Sequence, residues 1–298
     1  VICILGDPQK LKTKDLLQCF GRFVASLDGR YITAEDVNMT VQDMDTIAKT
    51  TNYVTGISPE KGGSGNPSPF TALGVFLGIK AAVMVKRSND SLKGLVVAVQ
   101  GCGSVGYNLC KLLAEDGARL IVADVNPMAV EKVKTQFHAE SVASDKIHAV
   151  AADIFSPCAL GGVLNDTTIE QLKAKIVAGA ANNQLLDMEK HGNLLHQKNI
   201  LYAPDYVINA GGLINVAQEL KGYCEVKAKN ETKKIYETML EVFNYASEHG
   251  ISTTNASNQI AERNLKTLVK NKSKELNTYN NQDWINTSSD KKTPLQKL

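Results

Sequence analysis

The feature that most constrains this chain is an alternation of two patterns along its middle. Short apolar runs, "LVVAVQ", "RLIVADV", "KIHAVAAD", "KIVAGAAN" and "NILYAP", each read as a buried strand, and sequence with helical spacing separates them. "TALGVFLGIKAAVMV" precedes the first run as a helix, and Tyr107 to Glu115 form another behind it. Strands that alternate with helices pair in parallel, because each crossover returns the chain to the same end of the sheet and covers one of its faces. The predicted fold class is therefore α/β, with a doubly wound parallel sheet. With 298 residues, 43% of them hydrophobic, the chain can fill such a core and a second, smaller unit.

The flanking segments read differently. "VICILGDPQK" opens as an apolar strand stopped by Gly6, Asp7 and Pro8. Leu16, Leu17, Phe20, Phe23 and Val24 then recur at helical spacing behind "TKD". "RYITAEDV" reads as a short strand and "TVQDMDTIAKT" as a helix, a set too small to close a core by itself. From Thr51 to Pro69 the run "TGISPEKGGSGNPSP" has the composition of a hinge or a ligand-contacting loop. After "NAGGLINVAQEL" two long helices are expected, one with Ile235, Met239, Val242, Phe243 and Ala246 on a single stripe, the next starting near Asn255. The polar, aperiodic end is expected to be a mobile tail.

Lysine plus arginine (33) nearly balance aspartate plus glutamate (31), and a net charge of +2 makes no field to hold nucleic acid or an acidic membrane. A small-molecule partner is expected. No run reaches the ~18 apolar residues of a membrane span and no leader pattern precedes a cleavage site, so the expected location is the cytoplasm. The six cysteines are scattered without a C-x-x-C pair and read as reduced, buried thiols. His191 and His196 stand five apart, poor spacing for two ligands on one helical face, and read as surface positions. No metal is expected.

"VVAVQGCGSVGYNLCKLL" sets Gly101, Gly103 and Gly106 in G-x-G-x-x-G spacing, directly after a strand and opening a helix. In a dinucleotide-binding, Rossmann-type turn the first glycine permits the bend, the second lets backbone approach a pyrophosphate, and the third lets helix and strand pack closely. Cys102, Ser104 and Val105 complete the phosphate loop, and the helix N-terminus faces the phosphate charge. Asp124 ends the next strand, where a carboxylate accepts the adenosine ribose hydroxyls and repels a 2′-phosphate. With no Arg beside it, NAD is favoured over NADP. The plainer alternative is a tight turn whose acid merely caps a strand.

"GRYITAEDV", "GNPSPFTALGV", "GCGSVGYNLCKLL", "SPCALGG", "AGAANNQL" and "YAPDYVINAGGLINV" stand in the order and spacing of the leucine, valine and phenylalanine dehydrogenases. From about residue 4 to about residue 275 the chain resembles that amino acid dehydrogenase family, most closely its leucine type. The resemblance implies NAD-linked oxidative deamination of a branched-chain L-amino acid to its 2-oxo acid, in a homo-oligomer. It implies a remnant of the α/β substrate domain over residues 1–56 and an NAD domain over 57–250. The C-terminal helix and tail over 251–298 would return to the first unit. By the match Asp36 shuttles protons, Thr71 holds the nicotinamide carboxamide, and Asn183 and Asn209 lie near the nicotinamide ribose and the substrate. Alternatives are caps for Asp36 and Thr71 and turn formation for the asparagines. The family's general base is a lysine with a lowered pKa, paired with a second lysine that grips the substrate carboxylate. Aligned back from Asp36, that base falls on Val1 and its partner earlier still. Lys10, Lys12 and Lys14 lie on a helix start and are not replacements. Three readings stay open: part of an ordinary dehydrogenase, a truncated homologue that binds NAD without turnover, or another NAD-linked activity on the retained site.

Overall fold

The computed structural model describes residues 5–36 and 38–268. The opening strand expected over residues 1–4 and the polar tail from residue 269 lie outside the described residues. The first segment holds α1 (Pro8–Leu11), α2 (Lys14–Ser26) and α3 (Val41–Ile47). Thr13 starts α2 by accepting from the Leu16 amide at 3.2 Å. Thr40 and Asp43 form a capping box that starts α3. Leu17 of α2 meets Met44 and Ile47 of α3 and Val54 beyond them, a core of four buried residues. Asp43 also takes the Lys12 ammonium at 2.6 Å.

"RYITAEDV" does not form the expected strand. It makes a single parallel bridge, Thr33 to Val54, with Thr33 N donating to Tyr53 O and Thr55 N to Thr33 O. The pairing stops there because Gly56, at φ +77°, turns the partner segment away.

The sheet contains β1 (Val96–Gln100), β2 (Arg119–Ala123), β3 (Glu140–Ser141), β4 (Ile154–Pro157), β5 (Ile176–Val177) and β6 (Leu201–Tyr202). Its order is β3-β2-β1-β4-β5-β6 and every pair is parallel. This is the doubly wound order whose direction reverses at β1, opening a crevice beyond the exit ends of β1 and β4. "KIHAVAAD" is not a strand: Ile147–Ala149 form a 3-10 turn, and β4 is the segment that follows. The error has a plain cause, since Ile147 packs under the sheet from that turn and so carries a strand's apolar signal. The edge strand β3 escaped notice because Glu140 and Ser141 are both exposed.

α4 (Ser68–Arg87), α5 (Ser104–Glu115) and α6 (Pro127–Phe137) lead through the first half. α7 (Asp166–Gln171), α8 (Met188–Gln197), α9 (Asp205–Ile208), α10 (Gly211–Ala217), α11 (Glu225–Lys233) and α12 (Ile235–His249) follow. One sheet face buries Val97, Val99 and Val122 against Ile79, Leu109, Leu113, Met239 and Phe243. The other buries Ala98, Phe155 and Val177 against Ile147, Ile169 and Leu195. α4 is long and apolar enough to cross a membrane, but it packs against α5, α10 and α12 as the core helix of this face. α12 buries its expected stripe.

Residues 253–268 are helical. Thr253 Oγ1 donates to Tyr202 O at 2.7 Å, Tyr206 and Ser257 share a bond of 2.6 Å, and Arg263 pairs with Glu241. All these partners belong to the sheet unit. Two surface and thiol expectations are corrected. His191 is buried, because its Nδ1 accepts the Asp187 amide at 2.9 Å, while His196 is exposed. Cys19 is exposed, whereas Cys102 and Cys110 are buried free thiols.

Burial alone would raise the Asp43 carboxyl, but hydrogen bonds from Lys12 and Thr40 hold it below the usual carboxylate range. A lowered carboxyl stabilises the fold above the ordinary pKa, and that contribution is lost as pH falls through the lowered value. Asp43→Asn is expected to cost about 1–2 kcal/mol at neutral pH through the lost cap and ion pair. It should also flatten the acid limb of the stability curve; urea melts of both chains across pH 3 to 7 measure the two effects.

Candidate active site

β1 exits into the glycine turn at the point where the sheet reverses. Gly101 takes φ +102°, and a Cβ there would lie 2.9 Å from the backbone of Cys158 and Ala159, which leave β4. A Cβ on Gly106 would lie 2.0 Å from Gly101 O, so the first turn of α5 rests on the strand end. Around Gly103 nothing stands within 4 Å of where a Cβ would be. The turn is closed behind and open in front.

Gly103 caps α5 with no side-chain hydrogen bond, which leaves the amides of Ser104 and Val105 directed at the open space. Asp124 follows β2, and its two oxygens accept from Cys102 N at 2.6 Å and Asn126 N at 2.8 Å. The acid thus fastens the glycine turn to the end of the next strand. Open backbone, uncapped helix amides and an adjacent carboxylate fit a dinucleotide's pyrophosphate and ribose. Burial, then the charge of Asp124 and the neighbouring Cys158, pushes the Cys102 thiol up to about 12. It stays neutral and supplies no nucleophile.

Thr71 lies in the first turn of α4, where its hydroxyl donates to Pro67 O at 3.3 Å. A Cβ on Gly212 would come 2.4 Å from Thr71 Oγ1, so α10 opens directly against it. Asn209 ends α9 immediately before, and its amide donates to Ala180 O at 3.2 Å and Asn182 Oδ1 at 2.5 Å. Both its hydrogens are used, and its oxygen remains to accept. Thr71 therefore lies against the start of α10, the helix that follows Asn209.

Asn183 occupies a left-handed turn at φ +53°, its carbonyl taking Gly162 N at 2.8 Å while its side chain is exposed. The asparagine that meets Asn209 is the preceding Asn182. Asp36 is exposed on the loop after the Thr33 bridge, its carbonyl accepting Met39 N at 2.9 Å. That loop reaches the sheet unit through Gly56, whose position backs onto Glu35. Burial and nearby Asp43 raise the Glu35 carboxyl. Val1, the aligned place of the family's base, lies outside the described residues.

Sequence reasoning also passed over Asp205. It is 5% exposed and accepts from Gln184 N at 2.9 Å and Tyr206 N at 2.7 Å, joining the loop of Asn182 to the helix of Asn209. Burial raises its carboxyl, and those backbone donors oppose the rise. The available signal was an acid between Pro204 and Tyr206 in an otherwise apolar run. A cavity of about 330 Å³ lined by Lys86, His196, Tyr202 and Phe243 lies beside the entry to β6, away from these strand exits.

Two glycine substitutions should separate folding from binding. Gly106→Ala drives a Cβ into the Gly101 carbonyl and is expected to cost about 1–3 kcal/mol of stability. Gly103→Ala meets open space, so thermal melting should stay near that of the parent chain while NADH affinity, followed by fluorescence, falls.

The model of the glutamate/leucine/phenylalanine/valine dehydrogenase family matches residues 62–129 and 121–273. Leucine dehydrogenase of Geobacillus stearothermophilus is 52% identical over 270 residues, 91% of this chain and 73% of that protein. L-tryptophan dehydrogenase of Nostoc punctiforme is 50% identical over 271 residues, 91% of this chain and 76% of that one. The crystal structure of the Nostoc punctiforme enzyme superposes with a TM-score of 0.73 at 49% identity, covering 86% of this chain and 73% of that one. With its parallel sheet, glycine turn and this degree of identity, the chain belongs to the glutamate/leucine/phenylalanine/valine dehydrogenase family and is an amino acid dehydrogenase.

Proposed function

We propose that the enzyme uses NAD to deaminate a branched-chain, leucine-type L-amino acid oxidatively, releasing the 2-oxo acid and ammonia. The observation that carries this reading is the glycine turn at the sheet's reversal, closed by backbone at Gly101 and Gly106 and open at Gly103. Asp124 supports NAD over NADP, because a carboxylate fixed beside the turn repels a 2′-phosphate. The leucine-type substrate is supported by relatives named leucine dehydrogenase; relatives named tryptophan dehydrogenase are nearly as similar, so the side-chain pocket is the finer part of the proposal.

In this reading residues 1–56 face the amino acid and residues 57–250 hold the dinucleotide. When bound, the dinucleotide supplies a hydride acceptor for the substrate α-carbon. The turn from Gly101 to Gly106, with Cys102, Ser104 and Val105, holds the pyrophosphate by backbone amides and helix charge. Thr71 orients the carboxamide, and Asn183 and Asn209 lie toward the nicotinamide ribose and the substrate. Asp36 moves protons to and from the reacting amine and water. Exposed Leu16 and Phe23, at 37% and 52%, support assembly as a homo-oligomer.

The test measures NAD binding by calorimetry and NADH formation by the 298-residue chain with L-leucine, L-valine, L-isoleucine, L-phenylalanine and L-tryptophan. This chain, in which the family's base falls on Val1 and its partner earlier still, is expected to bind NAD without turnover, and the chain extended by an N-terminal segment that holds both lysines to oxidise the branched-chain substrates fastest. Binding without turnover in the extended chain as well supports an NAD-binding homologue instead, and no NAD binding overturns both readings. Asp124→Ala should weaken NAD binding and relax the preference over NADP. In the extended chain Asp36→Asn should lower turnover by about 10²-fold or more with NAD affinity unchanged.

A further inference from the structure

Glu219 sits in the 3-10 turn Gln218–Lys221 that continues α10, far from the glycine turn in sequence. One of its oxygens, Oε1, accepts from Gly56 N at 2.8 Å and from Ser64 N at 2.8 Å, and also takes the Ser64 hydroxyl in a short bond. Three donors on one oxygen suit a carboxylate, whose charge strengthens each bond. Gly56 and Ser64 are both buried, so water offers their amides no ready replacement.

The two amides bracket a loop that also holds itself, with Gly63 N donating to Ser58 O at 3.1 Å and Gly65 N to Ile57 O at 3.0 Å. Gly56, Gly62 and Gly65 all take positive φ, at +77°, +84° and +66°. Such backbone is supplied by glycine at a cost in chain entropy. The loop is fastened at its front by Asp45 of α3, which accepts Ser58 N at 2.9 Å and pairs with Lys61 at 2.9 Å. That anchor belongs to the first segment. Glu219 is the anchor from the dinucleotide unit.

What the loop connects gives the clasp its meaning. At one end Gly56 backs onto Glu35, the neighbour of Asp36. At the other, Asn66 donates to Ser104 Oγ at 3.4 Å, at the opening of α5, and accepts Ser68 N at 2.9 Å, in the turn that leads to Thr71. Glu219 itself lies on the continuation of the helix that opens against Thr71 and follows Asn209. We propose that Glu219 is a positioning residue that clasps the 56–66 loop in the form that receives the dinucleotide, and so couples the Asp36 segment to the nicotinamide side of the crevice. This rests on the NAD reading above.

The test compares Glu219→Ala, Glu219→Gln and Glu219→Asp in the full chain. Amide hydrogen exchange of residues 55–66 and NADH affinity by fluorescence are both read. In Glu219→Ala, exchange across the loop should rise by about tenfold or more while β1 and α12 stay protected, and the NADH dissociation constant should rise by about tenfold. Glu219→Gln, which keeps the reach and an accepting oxygen, should recover most of both effects. Glu219→Asp, one methylene shorter, should not. NADH affinity in Glu219→Ala unchanged from the parent, or a loss equal in the Gln and Ala chains with faster exchange throughout the protein, overturns the clasp. If the parent chain binds no NADH the NAD reading fails, and unchanged loop exchange in Glu219→Ala then overturns the clasp separately.

Discussion

The parallel pairing of β1 on both sides governs the rest of the molecule. With β2 along one edge and β4 along the other, the chain leaving Gln100 has no lateral room and must turn within a few residues into a helix. That confinement demands Gly101 and Gly106, whose absent side chains would collide with backbone. It also leaves the α5 amides pointing outward where the sheet order reverses. The tight turn and its outward amides are consequences of strand order before they are consequences of any catalytic side chain. Asp124 completes the arrangement from the neighbouring strand, so turn and acid come as one unit.

The opposite wall is assembled by polar groups that satisfy backbone. Asp205 takes amides from two loops, and Asn209 gives its hydrogens to Ala180 and Asn182. The bond from Gln184 N to Asp205 is made away from bulk water, where an unmade one is costly, whereas that from Asn209 to Asn182 is exposed. Thr71 and Gly212, more than a hundred residues apart, meet because the glycines opening α10 allow that helix to lie against α4.

What could be read from the chain followed the range of each interaction. The glycine turn, β1, β2 and the α12 stripe are local patterns, and spacing alone revealed them. The strand expected at "RYITAEDV" needed a partner longer than Val54 and Thr55 could offer, and that shortage lies some twenty residues downstream. "KIHAVAAD" misled because Ile147 is buried from a turn just as it would be from a strand. His191 was misjudged because a single backbone amide, that of Asp187, draws its ring inside. Asn182, Asp205 and Glu219 act on segments remote in sequence, and no short pattern around them betrays the partner.

The bond from Gly56 to Glu219 spans 163 positions of the chain. Each βα unit of the sheet can form from neighbouring residues as they are synthesised, whereas closing so long a loop becomes favourable only once both ends are held by structure already made. The glycine turn can therefore be complete while the crevice is still one-sided. During vectorial synthesis the fastening of Gly56 and Ser64 waits until the residues around 219 have emerged, which makes it a late event in the maturation of this fold.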